Sequence, residues 1–186
     1  MIDLVDVPGG PFRVVLADPP WQYRNSGVDG AAQSHYQVAS TAYICAMPVK
    51  EISARDAVLV LWATWPCLPD AMQVIKAWGF EYVTGFPWVK LTEPPEIGLW
   101  GNLIAKPSYG TGFWARGCSE SILIARRKAT PLPKGNMLGI LCERMEHSRK
   151  PDCIYDYCEQ FKGPYLEMFA RRTRAGWSSW GNEVPE

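Results

Sequence analysis

The sequence contains no run of about 18 or more apolar residues, which excludes a membrane-spanning helix. It contains no C-x-x-C pair. Cys45, Cys67, Cys118, Cys142, Cys153 and Cys158 are scattered, and the closest two fall on one predicted helix. The paired ligands of a zinc domain are therefore missing, no metal site is predicted, and buried free thiols are the expectation. The opening residues Met1-Ile2-Asp3-Leu4-Val5-Asp6 lack the basic segment and apolar core of a secretory signal, so a cytoplasmic enzyme is expected. Neither charge is in excess: 19 basic and 19 acidic residues give a formal net charge of zero, which does not announce a nucleic-acid binder. There is no internal repeat and no low-complexity segment. A glycine-rich nucleotide fingerprint is also missing, because Gly110-x-Gly112 follows no predicted strand.

What is present suits a single α/β domain over residues 1–186. A hydrophobic fraction of 47% in 186 residues fills one core and is too little for two. The basic residues crowd the C-terminal half, as Arg126-Arg127-Lys128, Arg144, Arg149-Lys150 and Arg171-Arg172 with Arg174. Nine Trp and sixteen Pro are many for this length, and Trp serves both as core filling and as a surface on which bases stack.

Apolar runs alternate with helical stretches, the pattern of an α/β sheet. Phe12–Ala17 reads as a buried strand that must end at Asp18-Pro19-Pro20, since proline donates nothing to a ladder. Ala57–Ala63 reads as a second strand. Pro69–Trp78 reads as a helix with Met72, Ile75 and Trp78 on one face and Gly79 as its stop. Phe80–Lys90 predicts a strand or a bent pair of strands, Ser121–Ala125 another strand, and Met137–Cys142 one more. Pro151–Phe161 predicts a helix and Tyr165–Ala170 the last strand. Residues 22–40 and 91–117 are long polar or Gly/Pro-rich loops, of the kind that carry function. The tail Gly176–Asn182 brings two Trp among polar residues and is expected to close over something.

Asp18-Pro19-Pro20-Trp21 is the motif that carries chemistry. In open α/β sheets ligands bind at the carboxyl ends of strands, and Asp18 stands at one. An exocyclic base amine is a poor nucleophile because its lone pair is delocalised into the ring. Two acceptors for its N–H groups, a carboxylate and a proline carbonyl, draw the nitrogen toward tetrahedral geometry and expose that lone pair. An aromatic ring clamps the base by stacking, worth about 1–3 kcal/mol. With a sulfonium methyl donor no strong base is needed, so catalysis is positioning plus proton acceptance. In duplex DNA the base must first be flipped out.

The sequence resembles the N6-adenine methyltransferases named after the seventy-kilodalton subunit of the mRNA adenosine methylase. The resemblance runs from about Phe12 to Glu183 and rests on ADPPW (Ala17–Trp21), HY (His35–Tyr36), LVLWAT (Leu59–Thr64), AWGFE (Ala77–Glu81) and PWVK (Pro87–Lys90). It continues through SE (Ser119–Glu120), HSRKPD (His147–Asp152), LEMFARR (Leu166–Arg172) and GWSSWGNE (Gly176–Glu183). The motif order, catalytic first and cofactor last, is similar to that of the circularly permuted beta class of amino-methyltransferases.

The resemblance implies a Rossmann-like fold and S-adenosyl-L-methionine as cofactor. It implies that Asp18, Ser148, Lys150, Glu167, Phe169, Arg171, Asn182 and Glu183 line the cofactor pocket. Asn182 and Glu183 would meet polar groups of adenine and ribose, Phe169 would cover the adenine face, and Glu167 would accept from the ribose diol. Trp21, Tyr36 and Lys90 would face the substrate, and nothing in the mechanism needs His147. Enzymes that methylate cytosine N4 typically begin the tetrad with Ser, so Asp18 argues for adenine. Arg172-Thr173-Arg174 departs from the eukaryotic RNA enzyme, and no zinc finger, acidic arm or N-terminal extension is visible. The expectation is a prokaryotic or phage type acting on DNA, with RNA as the alternative acceptor and a non-catalytic nucleic-acid-binding subunit as the rival from another class. The family contains heterodimers, and a homo- or heterodimer is compatible with a chain this small.

Overall fold

The computed structural model describes residues 4–22, 38–110, 114–135, 137–145, 149–182 and 184. Its frame is a seven-stranded sheet in the order β7-β3-β6-β2-β1-β8-β9. The strands are β1 Phe12–Ala17, β2 Ser53–Ala63, β3 Glu81–Leu91, β6 Ser119–Arg126, β7 Ile140–Glu143, β8 Tyr165–Met168 and β9 Trp177–Trp180. Strand β6 runs against both its neighbours; every other pairing is parallel. The hairpin β4 Glu96–Ile97 and β5 Leu103–Ile104 stands apart within the 91–117 segment.

Helices cover both faces, as buried parallel strands require. Helices α1 Thr41–Ala46, α2 Val49–Ile52 and α3 Leu68–Ala77 bring Ile44, Val49, Ala71, Val74 and Ile75 onto one face, against Val15, Leu59, Leu61 and Leu166. Helix α4 Cys153–Cys158 packs Ile154, Tyr155, Tyr157 and Cys158 onto the other, against Val14, Leu16, Val60, Trp62 and Ile122. The Rossmann-like expectation holds. The connection leaving β1 runs toward β2 and that leaving β8 toward β9, in opposite directions along the sheet. Since β1 and β8 are neighbours, a crevice opens between their carboxyl ends.

Strand β1 has the bounds read from the sequence, because two prolines end it. Strand β2 begins earlier than Ala57, at the buried Ser53 and through the partly exposed stretch Ala54–Asp56 that no apolar run marks. Strand β3 is one strand with a register shift between Tyr82 and Thr84, not a bent pair. Its Pro87 is tolerated because β7 pairs only from Trp88 onward. On α3, Ile75 and Trp78 are buried, but Met72 is 42% exposed and Ala71 and Val74 complete the apolar face. The tail, expected to fold over something, is the edge strand β9, parallel to β8. Of the cysteines, Cys67 and Cys158 are buried, Cys153 is exposed and the rest are half-buried, all as free thiols.

Candidate active site

Period-two alternation aims the polar residues at one face. On β1, Val14 and Leu16 point toward α4, so Asp18, the next in step, points the same way. On β6, Glu120 precedes the buried pair Ile122 and Ile124 in step; on β3, Lys90 follows Trp88. On β8 Leu166 and Met168 face the opposite core, which turns Glu167 toward α4. The side chains therefore gather at the carboxyl end of the sheet, above Trp62 and beneath the start of α4.

Asp18, Glu120 and Lys90 form a chain of alternating charge with Lys150, which precedes α4. Lys150 Nζ donates to Asp18 Oδ2 at 2.7 Å and lies 3.4 Å from Glu120 Oε2. The other Glu120 oxygen accepts from Lys90. Lys150 also sits over the Trp62 ring, 5.3 Å from its centroid, and Lys90 over Trp88 at 4.8 Å. Burial raises the Asp18 carboxyl above its ordinary value, with Lys150 opposing the rise. Burial also works against the Glu120 charge, but Lys150 and Lys90 together outweigh it and hold that carboxyl below its ordinary value. Burial pulls the Lys150 ammonium down, Asp18 and Glu120 pull it up, and the carboxylates prevail.

A cavity of about 250 Å³ opens beside this chain, lined by Asp18, Trp62, Lys150, Tyr155, Glu167, Phe169 and Arg171 among others. Five of the residues expected around the cofactor thus meet in one place: Asp18, Lys150, Glu167, Phe169 and Arg171. Glu167 Oε2 accepts from the Tyr155 hydroxyl at 2.9 Å, and burial raises the Glu167 carboxyl. Phe169 has φ 61, in the left-handed region that a bulky residue enters only where its surroundings demand it. The turn is held from β9: Ala170 N–H donates to Trp180 O at 3.0 Å, and the Phe169 and Trp180 rings meet edge to face at 5.6 Å. Gly181 permits the close approach, since a Cβ there would overlap the Ala170 backbone.

Several expected residues lie elsewhere. Asn182 is exposed beyond β9 and does not line the cavity. Lys90 lies outside the cavity but joins it through Glu120. Tyr36, Ser148 and Glu183, with His147, lie outside the described residues. Trp21 differs most from its expected role as a stacking face. Its side chain is 7% exposed, belongs to the core on the α3 face, and donates its indole N–H to the Trp62 carbonyl at 2.9 Å. The Pro19 carbonyl accepts from Trp21 N–H at 2.8 Å and the Pro20 carbonyl from Ala39 N–H at 2.9 Å, each keeping a second lone pair. Sequence reasoning assigned no role to Glu120 or Tyr155. The signal for Glu120 was a lone carboxylate at the start of an apolar strand; Tyr155 fell within the predicted helix Pro151–Phe161, where nothing marked it from its apolar neighbours.

Residues 12–183 match the MT-A70 family. The chain is 27% identical to the type II methyltransferase M.MunI of Mycoplasma sp, over 97% of this chain and 81% of that protein. It is 31% identical to the human N(6)-adenine-specific methyltransferase METTL4 and 30% to the N6-methyladenosine RNA methyltransferase MTA1 of Pyricularia oryzae, over 93% of this chain in each case. It spans only 37% and 47% of the length of those two proteins. With the match running from the first residue of β1 past the end of β9, the chain belongs to the MT-A70 family.

Proposed function

We propose that this protein transfers a methyl group from S-adenosyl-L-methionine to the N6 amino group of adenine in DNA. The observation that carries the reading is the Asp18 carboxylate at the sheet crevice, paired with Lys150 and sharing a cavity with Glu167 and Phe169. The donor set fits the cofactor. Glu167 offers acceptor oxygens to a ribose diol, Phe169 an apolar face to a purine, and Arg171 and Lys150 positive charge to a carboxylate. When bound, the cofactor supplies an electrophilic methyl group on a sulfonium.

The residues of this chain do the rest. Asp18 accepts one N–H of the adenine amine; the free lone pair of the Pro19 or Pro20 carbonyl is available for the other. Burial raises Asp18 and makes it a stronger proton acceptor than a solvated aspartate, while Lys150 opposes that rise by favouring the charged form. With the cofactor bound, N6 would take the methyl group from its sulfonium, which departs as a thioether, and Asp18 or water would take the extra N6 proton. Glu120 fixes Lys150 from the far side and so sets where Asp18 points.

DNA is favoured over RNA because M.MunI, a type II methyltransferase, is filled over 81% of its length, against 47% for the RNA methyltransferase MTA1. RNA remains the second reading on the strength of that relative. Nucleoside mass spectrometry decides. The protein is incubated with cofactor and, separately, duplex DNA, single-stranded DNA and RNA, with Asp18→Ala as control. N6-methyladenine in DNA is expected. Its appearance in RNA alone overturns the acceptor, and no methylated base in any pool points to a binding subunit.

A further inference from the structure

Trp65 stands two residues past the end of β2 and opens a short 3-10 turn, Trp65–Cys67. Its side chain is 48% exposed. An exposed tryptophan is commonly incidental, but this one is fixed. Its indole N–H donates to Ser119 Oγ at 2.9 Å, continuing the β2–β6 register in which Ala63 faces Ser121. Holding the ring by its N–H edge immobilises it. Ser119 adjoins Glu120, which bridges Lys90 and Lys150 and through Lys150 reaches Asp18.

The order β6-β2-β1-β8 then divides the crevice. Glu167 and Phe169, on the cofactor side, extend from β8. Asp18 stands at the end of β1. Trp65 follows β2, the strand on the opposite flank of Asp18, four residues beyond Leu61, which faces Ala17 in the β1–β2 register. A base presenting its amine to Asp18, with the methyl donor on the β8 side, must lie toward β2. Trp21 cannot offer it a ring without leaving the core, since its face is buried and its N–H engaged by Trp62.

We propose that Trp65 is the stacking face for the acceptor base, a planar heteroaromatic ring, and that Ser119 positions it. The inference rests on the adenine-N6 reading above.

The test uses the full chain and whichever nucleic acid the wild type methylates. Wild type, Trp65→Ala, Trp65→Phe and Ser119→Ala are compared by acceptor KM, kcat, cofactor Kd from calorimetry, and Tm. Trp65→Ala is expected to raise acceptor KM about tenfold or more, with cofactor Kd and Tm unmoved because the side chain is at the surface. Trp65→Phe keeps a flat ring and retains most of the affinity; Ser119→Ala loses part of it. The inference is overturned if Trp65→Ala leaves acceptor KM unchanged. It is also overturned if Trp65→Phe loses as much as Trp65→Ala, since the N–H anchor would then be the whole effect. If Trp65→Ala fails to fold, Trp65→Phe and Ser119→Ala decide on the same criteria. Failure of the wild type to methylate any nucleic acid sinks the functional reading itself, whereas wild-type turnover with an unmoved KM sinks this inference alone.

Discussion

Lys150 donates a 2.7 Å hydrogen bond to Asp18 across 132 residues of chain, tying the start of α4 to the end of β1. The pair biases the ionisation of the residue to which the proposed chemistry assigns the adenine amine. Asp18→Ala is expected to lower kcat at least about 100-fold while the fold persists, since Asp18 lies beyond the last strand residue. Lys150→Met removes the main opposition to the burial of Asp18, leaving only the weaker pull of Arg171, so its carboxyl should rise further. Activity needs that group ionised. The acid limb of kcat/KM against pH should therefore move to higher pH in Lys150→Met, and a limb that stays put would separate Asp18 from the titration.

Glu120 gives the opposite pH signature. Its carboxyl lies below the ordinary value of 4.5 because Lys150 and Lys90 outweigh its burial. A carboxyl lowered on folding adds stability that is complete above its unfolded value and lost as pH falls through its folded value. The stability difference between wild type and Glu120→Gln should accordingly be largest near neutral pH and shrink below about pH 4.5. Urea unfolding at a series of pH values measures it. A difference that stays constant into acid would remove Glu120 from the charge chain.

The site was legible where local chemistry marks it. Asp18 follows a β-branched run and precedes two prolines, so its place at a strand end could be read directly. The ends of β2 and β8 could be found from apolar runs, but the pairing of Asp18 with Lys150 could not, because it spans most of the chain. Strand β9 escaped because Trp-Ser-Ser-Trp carries no apolar alternation; as an edge strand it is defined by its ladder with β8 and the turn at Phe169. The burial of Trp21 was not legible for a related reason. Sequence places an aromatic beside Asp18, but only packing decides whether its face is open, and here the ring is buried with its N–H bonded to the Trp62 carbonyl.

Tyr155 is expected to act through Glu167. Its hydroxyl donates at 2.9 Å, and burial, with Glu167 beside it, pushes that hydroxyl up to about 12, so it stays a donor throughout the working pH range. The Arg174 guanidinium 4.3 Å from the ring centroid and the Trp177 ring at 5.2 Å hold it in place. Tyr155→Phe removes the bond that opposes the burial of Glu167. Cofactor affinity should fall about three- to tenfold, more steeply toward acid pH as Glu167 protonates sooner. Calorimetry across pH measures this. If the loss persists unchanged in a Glu167→Gln background, the two residues do not act together.

Trp21 separates support from recognition. If its indole braces the Asp18-Pro19-Pro20 turn against Trp62, Trp21→Phe leaves a buried carbonyl without its donor, at a cost of about 1–3 kcal/mol. For a chain of this length that lowers Tm by about 2–12 °C. Acceptor KM should change little, because the ring was never open to the base. The contrast with Trp65 is direct: the buried tryptophan should move Tm and leave KM, the exposed one should move KM and leave Tm. Thermal denaturation beside steady-state kinetics on both variants reads the two patterns, and an interchange of them would return the stacking face to Trp21.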